Sequence, residues 1–214
     1  ELMTQFPWLE EARGAAGLTV WPMVEDEADD ALAAAAQVAA SHPEVDRVLI
    51  CTPDKDLAQC VSDPVVVQFD RRAGVMRDEA AVREKYGVAP ASIPDWLALV
   101  GDSADGFPGL PGWGAKSAAA VLSRYGRIEE IPHAPGQWDV GVRGAAKLAA
   151  ALANGYEDAL LFRRLATLET DVTVGTVEQW KWRGPTDDLA AWAVRLDAPD
   201  VAARATSLSE SLQR

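Results

Sequence analysis

Closely spaced carboxylates are the residues of this sequence with the clearest capacity for chemistry. Five of the six residues 25–30 are acidic, Asp54 and Asp56 alternate after an apolar run, and Asp102 and Asp105 lie three apart. One or two acids at a helix start would complement the helix dipole, but five repel one another, which favours a bound cation. Magnesium and manganese prefer such oxygen ligands, and two such ions can hydrolyse a phosphodiester without a nucleophilic side chain.

A turn rich in glycine and proline follows the third pair of acids and leads into a helix-like run. The turn and the helix start contain Gly109, Gly112, Gly114, Lys116 and Ser117. Glycines let a phosphate approach the backbone, and N–H groups at a helix N-terminus point towards it. The stretch therefore indicates a binding site for a phosphodiester backbone next to two carboxylates. It is not a Walker A loop, because Ala115 intervenes before the lysine and the preceding run is helical.

Apolar runs and turn residues predict the elements that position these groups. Strands are expected at 18–21, 46–52 and 64–69, a turn at 70–77, and helices at 1–17, 31–41, 78–87, 186–195 and 199–213. Ser92 is the expected N-cap of the helix that leads to Asp102. Asp54 and Asp56 directly follow the second strand, where open α/β sheets place their active sites.

The chain resembles the bacterial 5′–3′ exonuclease and flap endonuclease family, which includes the 5′-nuclease domain of DNA polymerase I. The likeness is carried by the helix–hairpin–helix segment GDSADGFPGLPGWGAKSAAAVLSRYG. The acidic run is similar to the family's E-A-D-D element, and residues 52–56 are similar to its T-G-D-K-D element, with Pro53 in place of glycine. Trp113 replaces an expected small aliphatic residue and should change packing more than chemistry. The likeness covers roughly residues 2–172.

The resemblance implies an α/β fold with a mostly parallel central sheet flanked by helices, followed by a helix–hairpin–helix region. The expected domains are residues 1–90 as the C-terminal part of the nuclease core, 91–172 as the DNA-binding region, and 173–214 as a tail on the core. The implied catalytic residues are Asp54, Asp56, Asp102 and Asp105. The implied metal ligands are these four together with Glu27, Asp29 and Asp30. The expected DNA contacts are Lys55, Gly109, Gly112, Gly114, Lys116, Ser117, Arg143 and Lys147.

The implied activity is a structure-specific 5′ nuclease of replication and repair, acting on 5′ flaps and on nicked or recessed duplex DNA. It would use two or more Mg²⁺ or Mn²⁺ ions, with K⁺ possible at the hairpin as in similar nucleases. We expect a monomer of the bacterial cytoplasm, without membrane association, and a stand-alone nuclease because no polymerase region follows. Family members carry a further N-terminal segment with another metal-site aspartate and an arch. If the chain starts at Glu1, weak or no cleavage is expected.

The net charge of −13 argues against nucleic-acid binding, but the proposed metal ligands account for seven of the acids. Residues 106–156 also contain five basic and three acidic side chains. Arg143 and Lys147 belong to a second glycine–basic–glycine turn, either a plain helix start or a second backbone contact. Cys51 and Cys60 are expected to be buried free thiols.

Two alternatives remain open from the sequence alone. One is a non-catalytic DNA-structure binder that keeps the hairpin but lacks a complete metal site. The other is a metal-dependent ribonuclease of similar sheet topology, which the hairpin disfavours.

Overall fold

The computed structural model describes residues 2–212, which form ten α-helices and three β-strands. The strands are β1 (Val48–Ile50), β2 (Val66–Asp70) and β3 (Val75–Arg77). The helices are α1 (Phe6–Ala15), α2 (Ala28–Ala40), α3 (Glu79–Tyr86), α4 (Ile93–Val100), α5 (Ala115–Tyr125), α6 (Ala145–Asn154), α7 (Tyr156–Ala166), α8 (Val177–Trp180), α9 (Leu189–Arg195) and α10 (Pro199–Leu212). The helix ends predicted at Glu1 and Gln213 lie outside the described residues. Within residues 2–212, every helix is too short or too polar to cross a membrane.

The chain divides into two compact units, residues 1–31 with 173–214 and residues 32–172. In the first unit, the end of α1 is tied to the segment before α9. The Thr186 N–H donates to the Ala15 carbonyl at 2.9 Å, and the Trp182 indole donates to the Ala16 carbonyl at 2.8 Å. The strand predicted at 18–21 is absent. Trp21 is instead fixed through its side chain, which donates to the Val174 carbonyl at 2.9 Å.

The second unit contains the sheet, in the order β1-β2-β3. β1 runs parallel to β2, with Val48 opposite Val66, and β2 runs antiparallel to β3, with Phe69 opposite Met76. The predicted turn at 70–77 is therefore too long, because residues 75–77 pair as β3. The Asp70 carboxylate closes the shorter turn by accepting from the Arg72 and Ala73 N–H groups, at 3.1 and 3.0 Å.

Local signals locate the helices that follow the sheet. The Asp78 carboxylate caps α3 by accepting from the Ala81 N–H at 2.9 Å, and Gly87 ends that helix with φ 75°, as predicted. Ser92 occupies the predicted N-cap position of α4, but its side chain makes no capping hydrogen bond with the helix. Residues Pro90–Ser92 instead form a 3₁₀ turn, which leads directly into the helix.

The larger hydrophobic core surrounds α4, the helix that leads to Asp102. Leu97 and Leu99 are fully buried, and α4 packs mainly against α7. Asp95 is buried on the same helix, where its carboxylate accepts from the Ile128 N–H at 3.0 Å and from Arg163 at 3.2 Å. A smaller core lies beneath β1 and β2 and contains Ile50, Leu57 and Val66 among other residues. Of the two thiols predicted to be buried, Cys51 is exposed and Cys60 is half-buried, so the prediction is wrong for Cys51.

Candidate metal centre and nucleic-acid-binding turns

Asp54 and Asp56 lie on the loop that leaves the carboxyl end of β1. The Thr52 hydroxyl accepts from the Asp54 N–H at 3.2 Å, and the Asp54 carboxylate accepts from the Asp56 N–H at 3.3 Å. Asp56 then opens the 3₁₀ turn Asp56–Cys60. Asp56 is buried, whereas Asp54 is exposed. The sequence placed both aspartates correctly at a strand end.

Asp102 and Asp105 lie on a tight loop directly after α4. The backbones of Asp102 and Phe107 pair in both directions, at 2.8 and 3.0 Å, and the Asp102 carboxylate accepts from the Ala104 N–H at 3.0 Å. Gly101 and Gly109 are in close contact through their backbones, and both have positive φ, 89° and 70°. This contact closes the loop at its base and fixes the direction in which Asp102 leaves the helix.

The two loops bring three of the predicted carboxylates together. Oxygen atoms of Asp56, Asp102 and Asp105 lie within 4.8 Å of one another. Burial and the neighbouring Asp105 and Asp54 raise the pKa of Asp56 to about 7, and burial also raises the pKa of Asp105. Like charges held this close disfavour the ionisation of Asp56 and of Asp105.

Lys55 provides the positive charge nearest to this cluster. Its ammonium group forms an ion pair with the Asp102 carboxylate, whose side chain is almost fully buried. Burial alone would raise the pKa of Asp102, but the hydrogen bonds from Lys55 and the Ala104 N–H hold it below its usual value. One ammonium group offsets one of the three carboxylates and leaves the cluster negative.

This group of side chains fits a hard divalent cation. Asp56 Oδ1 is buried and has no hydrogen-bond partner among the described residues, which leaves a lone pair available for a ligand. All three groups offer carboxylate oxygens, the ligand type that Mg²⁺ and Mn²⁺ select. A cation bound to Asp56, Asp102 and Asp105 would favour the ionised state of Asp56 and Asp105, which the repulsion between these carboxylates opposes.

The remaining predicted metal ligands lie at the start of α2. The Asp30 carboxylate accepts from the Glu27 N–H at 3.0 Å and thereby caps the helix. Asp29 is half-buried and Glu27 is exposed. These three acids belong to the first unit and the other four to the second. Their part in a metal centre stays a prediction.

The hairpin between α4 and α5 exposes only one of its three predicted contact glycines, because Gly109 is buried and Gly114 is half-buried. Leu110 and Trp113 are buried, whereas Gly112 is exposed, with φ 81° and open space around its α-carbon. The first-turn N–H groups of α5 have no partner within the helix, and Lys116 is exposed beside them.

Ser117 has a local partner in the same turn. Its hydroxyl accepts from the Gly114 N–H and donates to the Gly114 carbonyl, both at 3.0 Å. The hydroxyl thus caps α5, and any contact that it makes with a phosphate would compete with the cap.

The second glycine–basic turn leads directly into α6. Gly144 adopts the left-handed conformation at the N-cap, and Arg143 and Lys147 are exposed around it. Trp113 connects the two turns, because its indole N–H donates to the Leu148 carbonyl of α6 at 3.2 Å. The unusual tryptophan is therefore a packing residue, as predicted, and it fixes one turn against the other.

Sequence reasoning missed two glutamines beside the loop that carries Asp54 and Asp56. The Gln68 amide donates to the Asp54 carbonyl, and the Gln59 amide donates to the Asp56 carbonyl at 2.8 Å. The sequence carried a signal for Gln68 only, which is a polar residue inside the apolar run at 65–69. It carried none for Gln59, which lies in an ordinary helical context.

Comparisons with known proteins agree with the family predicted from the motifs. The family model described as "5'-3' exonuclease, N-terminal resolvase-like domain" matches residues 1–87, and the one described as "5'-3' exonuclease, C-terminal SAM fold" matches residues 88–188. DNA polymerase I of Pseudomonas aeruginosa is 36% identical over an aligned length of 182 residues, and the match covers 80% of this chain and 19% of that protein. A 5′–3′ exonuclease of Aquifex aeolicus is 39% identical over 130 residues, which are 61% of this chain and 44% of that protein. The chain therefore spans less than half the length of either relative.

Solved structures show the same fold. The bacteriophage T5 flap endonuclease, crystallised with DNA and metal ions, superimposes with a TM-score of 0.57 at 19% identity, covering 88% of this chain and 61% of that protein. The α/β fold with a helical C-terminal region is thereby confirmed. Because the two family descriptions together match residues 1–188, this chain belongs to the 5′–3′ exonuclease family.

Proposed function

We propose that this chain is a divalent-metal-dependent 5′ nuclease that hydrolyses DNA phosphodiesters at 5′ flaps and at nicked or recessed ends. The observation that carries the proposal is the convergence of Asp56, Asp102 and Asp105 within 4.8 Å beside a glycine-rich turn. Family membership and the DNA and metal ions crystallised with the T5 enzyme support it.

In this proposal, Asp54, Asp56, Asp102 and Asp105 form the catalytic centre, and Glu27, Asp29 and Asp30 complete the metal-binding set. Two or more Mg²⁺ or Mn²⁺ ions, when bound, supply the Lewis acidity for phosphodiester hydrolysis. The protein itself holds the carboxylates on two short loops and keeps Asp102 ionised through Lys55. Rigid placement of the ligands lowers the reorganisation needed at the moment of reaction.

The two glycine turns would bind the duplex backbone on one side of this centre. The proposed contacts are the N–H groups and side chains of Lys55, Gly109, Gly112, Gly114, Lys116, Ser117, Arg143 and Lys147. A K⁺ ion at the first turn, action as a monomer and a place in the bacterial cytoplasm are part of the same proposal. Since backbone contacts dominate, the affinity should fall steeply with salt and depend little on sequence.

The deciding experiment is cleavage of a 5′-flap substrate with Mg²⁺, Mn²⁺ or EDTA. We expect metal-dependent cleavage that Asp54→Ala and Asp102→Ala each reduce by at least about 100-fold, since ligands that act together are not redundant. Glu84→Ala is the matched control, because Glu84 is exposed on α3 and belongs to none of the proposed ligand clusters. Cleavage that survives both aspartate substitutions refutes the proposal, and flap binding without cleavage identifies a non-catalytic DNA-structure binder.

A further inference from the structure

Gln68 is a fully buried polar side chain in the middle strand of the sheet. It is 0% exposed, and it occupies β2 opposite Ile50, the last residue of β1. The neighbouring strand residues Val66 and Val67 are apolar and buried, as expected for a covered sheet. A buried amide is costly unless both of its ends are paired. In this strand Gln68 is therefore expected to lower the stability of the fold.

Only one end of this amide is used within the described residues. Gln68 Nε2 donates to the backbone carbonyl of Asp54, whereas Oε1 is buried without a partner. Leucine or methionine would fill a similar volume without the unpaired oxygen. The single hydrogen bond that Gln68 makes is thus directed at the loop that carries Asp54 and Asp56.

A second glutamine holds the other aspartate of the loop. Gln59 Nε2 donates to the Asp56 carbonyl at 2.8 Å and to the Ala166 carbonyl at 3.0 Å. Its Oε1 accepts from the Leu168 N–H at 3.1 Å. The amide of Gln59 therefore connects the loop to the end of α7, a helix of the same unit.

We infer that Gln68 and Gln59 are positioning residues that fix the backbone of the Asp54–Asp56 loop for metal binding. Each amide holds a backbone carbonyl, and the two carbonyls lie two residues apart on either side of Lys55. With both carbonyls fixed, the Asp56 carboxylate is held towards Asp102 and Asp105 rather than moving away from them under repulsion. The inference rests on the proposed metal centre, because it assigns the glutamines to that site.

The test is Mn²⁺ affinity, measured by the EPR signal of the free ion, together with the melting temperature of the metal-free protein. Gln68→Met keeps the volume and removes the N–H donor. We expect Mn²⁺ binding about 10–100-fold weaker, the usual effect of losing a residue that orients a ligand. The melting temperature in EDTA should be unchanged or higher, since the unpaired Oε1 is removed.

Val67→Ala is the matched control. Val67 is 4% exposed and adjoins Gln68, but its side chain points to the opposite face of the strand. It should lower the melting temperature and leave the affinity of the folded protein for Mn²⁺ unchanged. This pattern is the reverse of that expected for Gln68→Met, so a merely structural role of Gln68 would be recognised.

The outcomes separate this inference from the proposed function. A wild-type protein that takes up no Mn²⁺ refutes the metal centre itself. If Gln68→Met binds Mn²⁺ as tightly as the wild type, or loses binding only in proportion to its unfolded fraction, the positioning role of Gln68 is overturned and the metal centre is not. If Gln68→Met fails to fold, Gln59→Met decides, because Gln59 is half-buried and its loss should weaken Mn²⁺ binding to a similar extent.

Discussion

The contact between Gly101 and Gly109 makes a quantitative prediction about the loop that carries Asp102 and Asp105. Gly101 has φ 89° and ψ 159°, a region that is essentially restricted to glycine. A Cβ at this position would also overlap the Pro108 carbonyl and come within 2.8 Å of the Gly109 nitrogen. The obstacle is backbone, which cannot rotate away as a flexible side chain could.

The cost of Gly101→Ala therefore has two parts. The backbone conformation contributes about 2 kcal/mol, and the overlap contributes about 2 kcal/mol more as overpacking. Gly106 is the matched control in the same loop, because its φ is 82° but an added Cβ would meet nothing within 4 Å. Gly106→Ala should cost only the conformational part for a left-handed residue, about 1–2 kcal/mol.

The assay is thermal unfolding of both variants in EDTA, followed by circular dichroism. At roughly 3 °C per kcal/mol for a chain of this size, Gly101→Ala should melt about 12 °C below wild type and Gly106→Ala about 3–6 °C below. Equal losses for the two variants would show that the overlap relaxes without cost, and the assignment of the glycine contact as the rigid base of the loop would then be wrong.

Three further predictions concern the charged groups. The pKa of Asp56 is raised to about 7 against an unfolded value of 3.8, so the metal-free protein should lose stability as the pH rises from about 4 to 7. Asp56→Asn should flatten this dependence of stability on pH and raise the melting temperature in EDTA at pH 8. An unchanged pH dependence would contradict the argument that repulsion between the carboxylates destabilises the cluster. Lys55→Met removes the ammonium group that competes with a cation for Asp102, and Mn²⁺ binding measured by calorimetry should become about fivefold tighter, equivalent to ~1 kcal/mol for one nearby charge. Weaker binding would show that Lys55 favours metal binding instead. Arg163→Met leaves the buried Asp95 without its ion-pair partner and should lower the free energy of unfolding in urea by about 3 kcal/mol. Arg124→Met breaks only an exposed ion pair and should lower it by less than ~1 kcal/mol. A larger loss for Arg124→Met than for Arg163→Met would refute the argument from burial.

Features set by local chemistry were predictable from the sequence. The capped helix at 79–86, the aspartates beyond β1 and the glycine hairpin before α5 each depend on a few neighbouring residues. These are the situations in which caps, turn residues and apolar runs carry most of the information. The motifs also pointed to the family that the comparisons then showed.

Features set by distant contacts were not predictable. Residues 18–21 have the composition of a strand, but no strand partner exists for them within the described chain, and Trp21 is held by a side-chain bond to Val174. Residues 75–77 become β3 only because β2 lies alongside. Gln68 contacts the Asp54 carbonyl 14 residues away, and Gln59 contacts the Ala166 carbonyl 107 residues away, separations that no local pattern reveals.

Several unfavourable features of the second unit lie together at the cluster of Asp56, Asp102 and Asp105. Asp56 is buried with a raised pKa and an unpaired oxygen, and Gln68 buries a second unpaired oxygen beside the same loop. By contrast, the buried carboxylate of Asp95 in the same unit is paired, because it accepts from Arg163 and from a backbone N–H. Proteins tolerate such local costs mainly where function requires them. Bound divalent cations would remove the electrostatic part of this cost. Seven of the 33 acidic side chains are proposed metal ligands, and bound cations would offset their charge, so the net charge of −13 does not by itself exclude DNA binding.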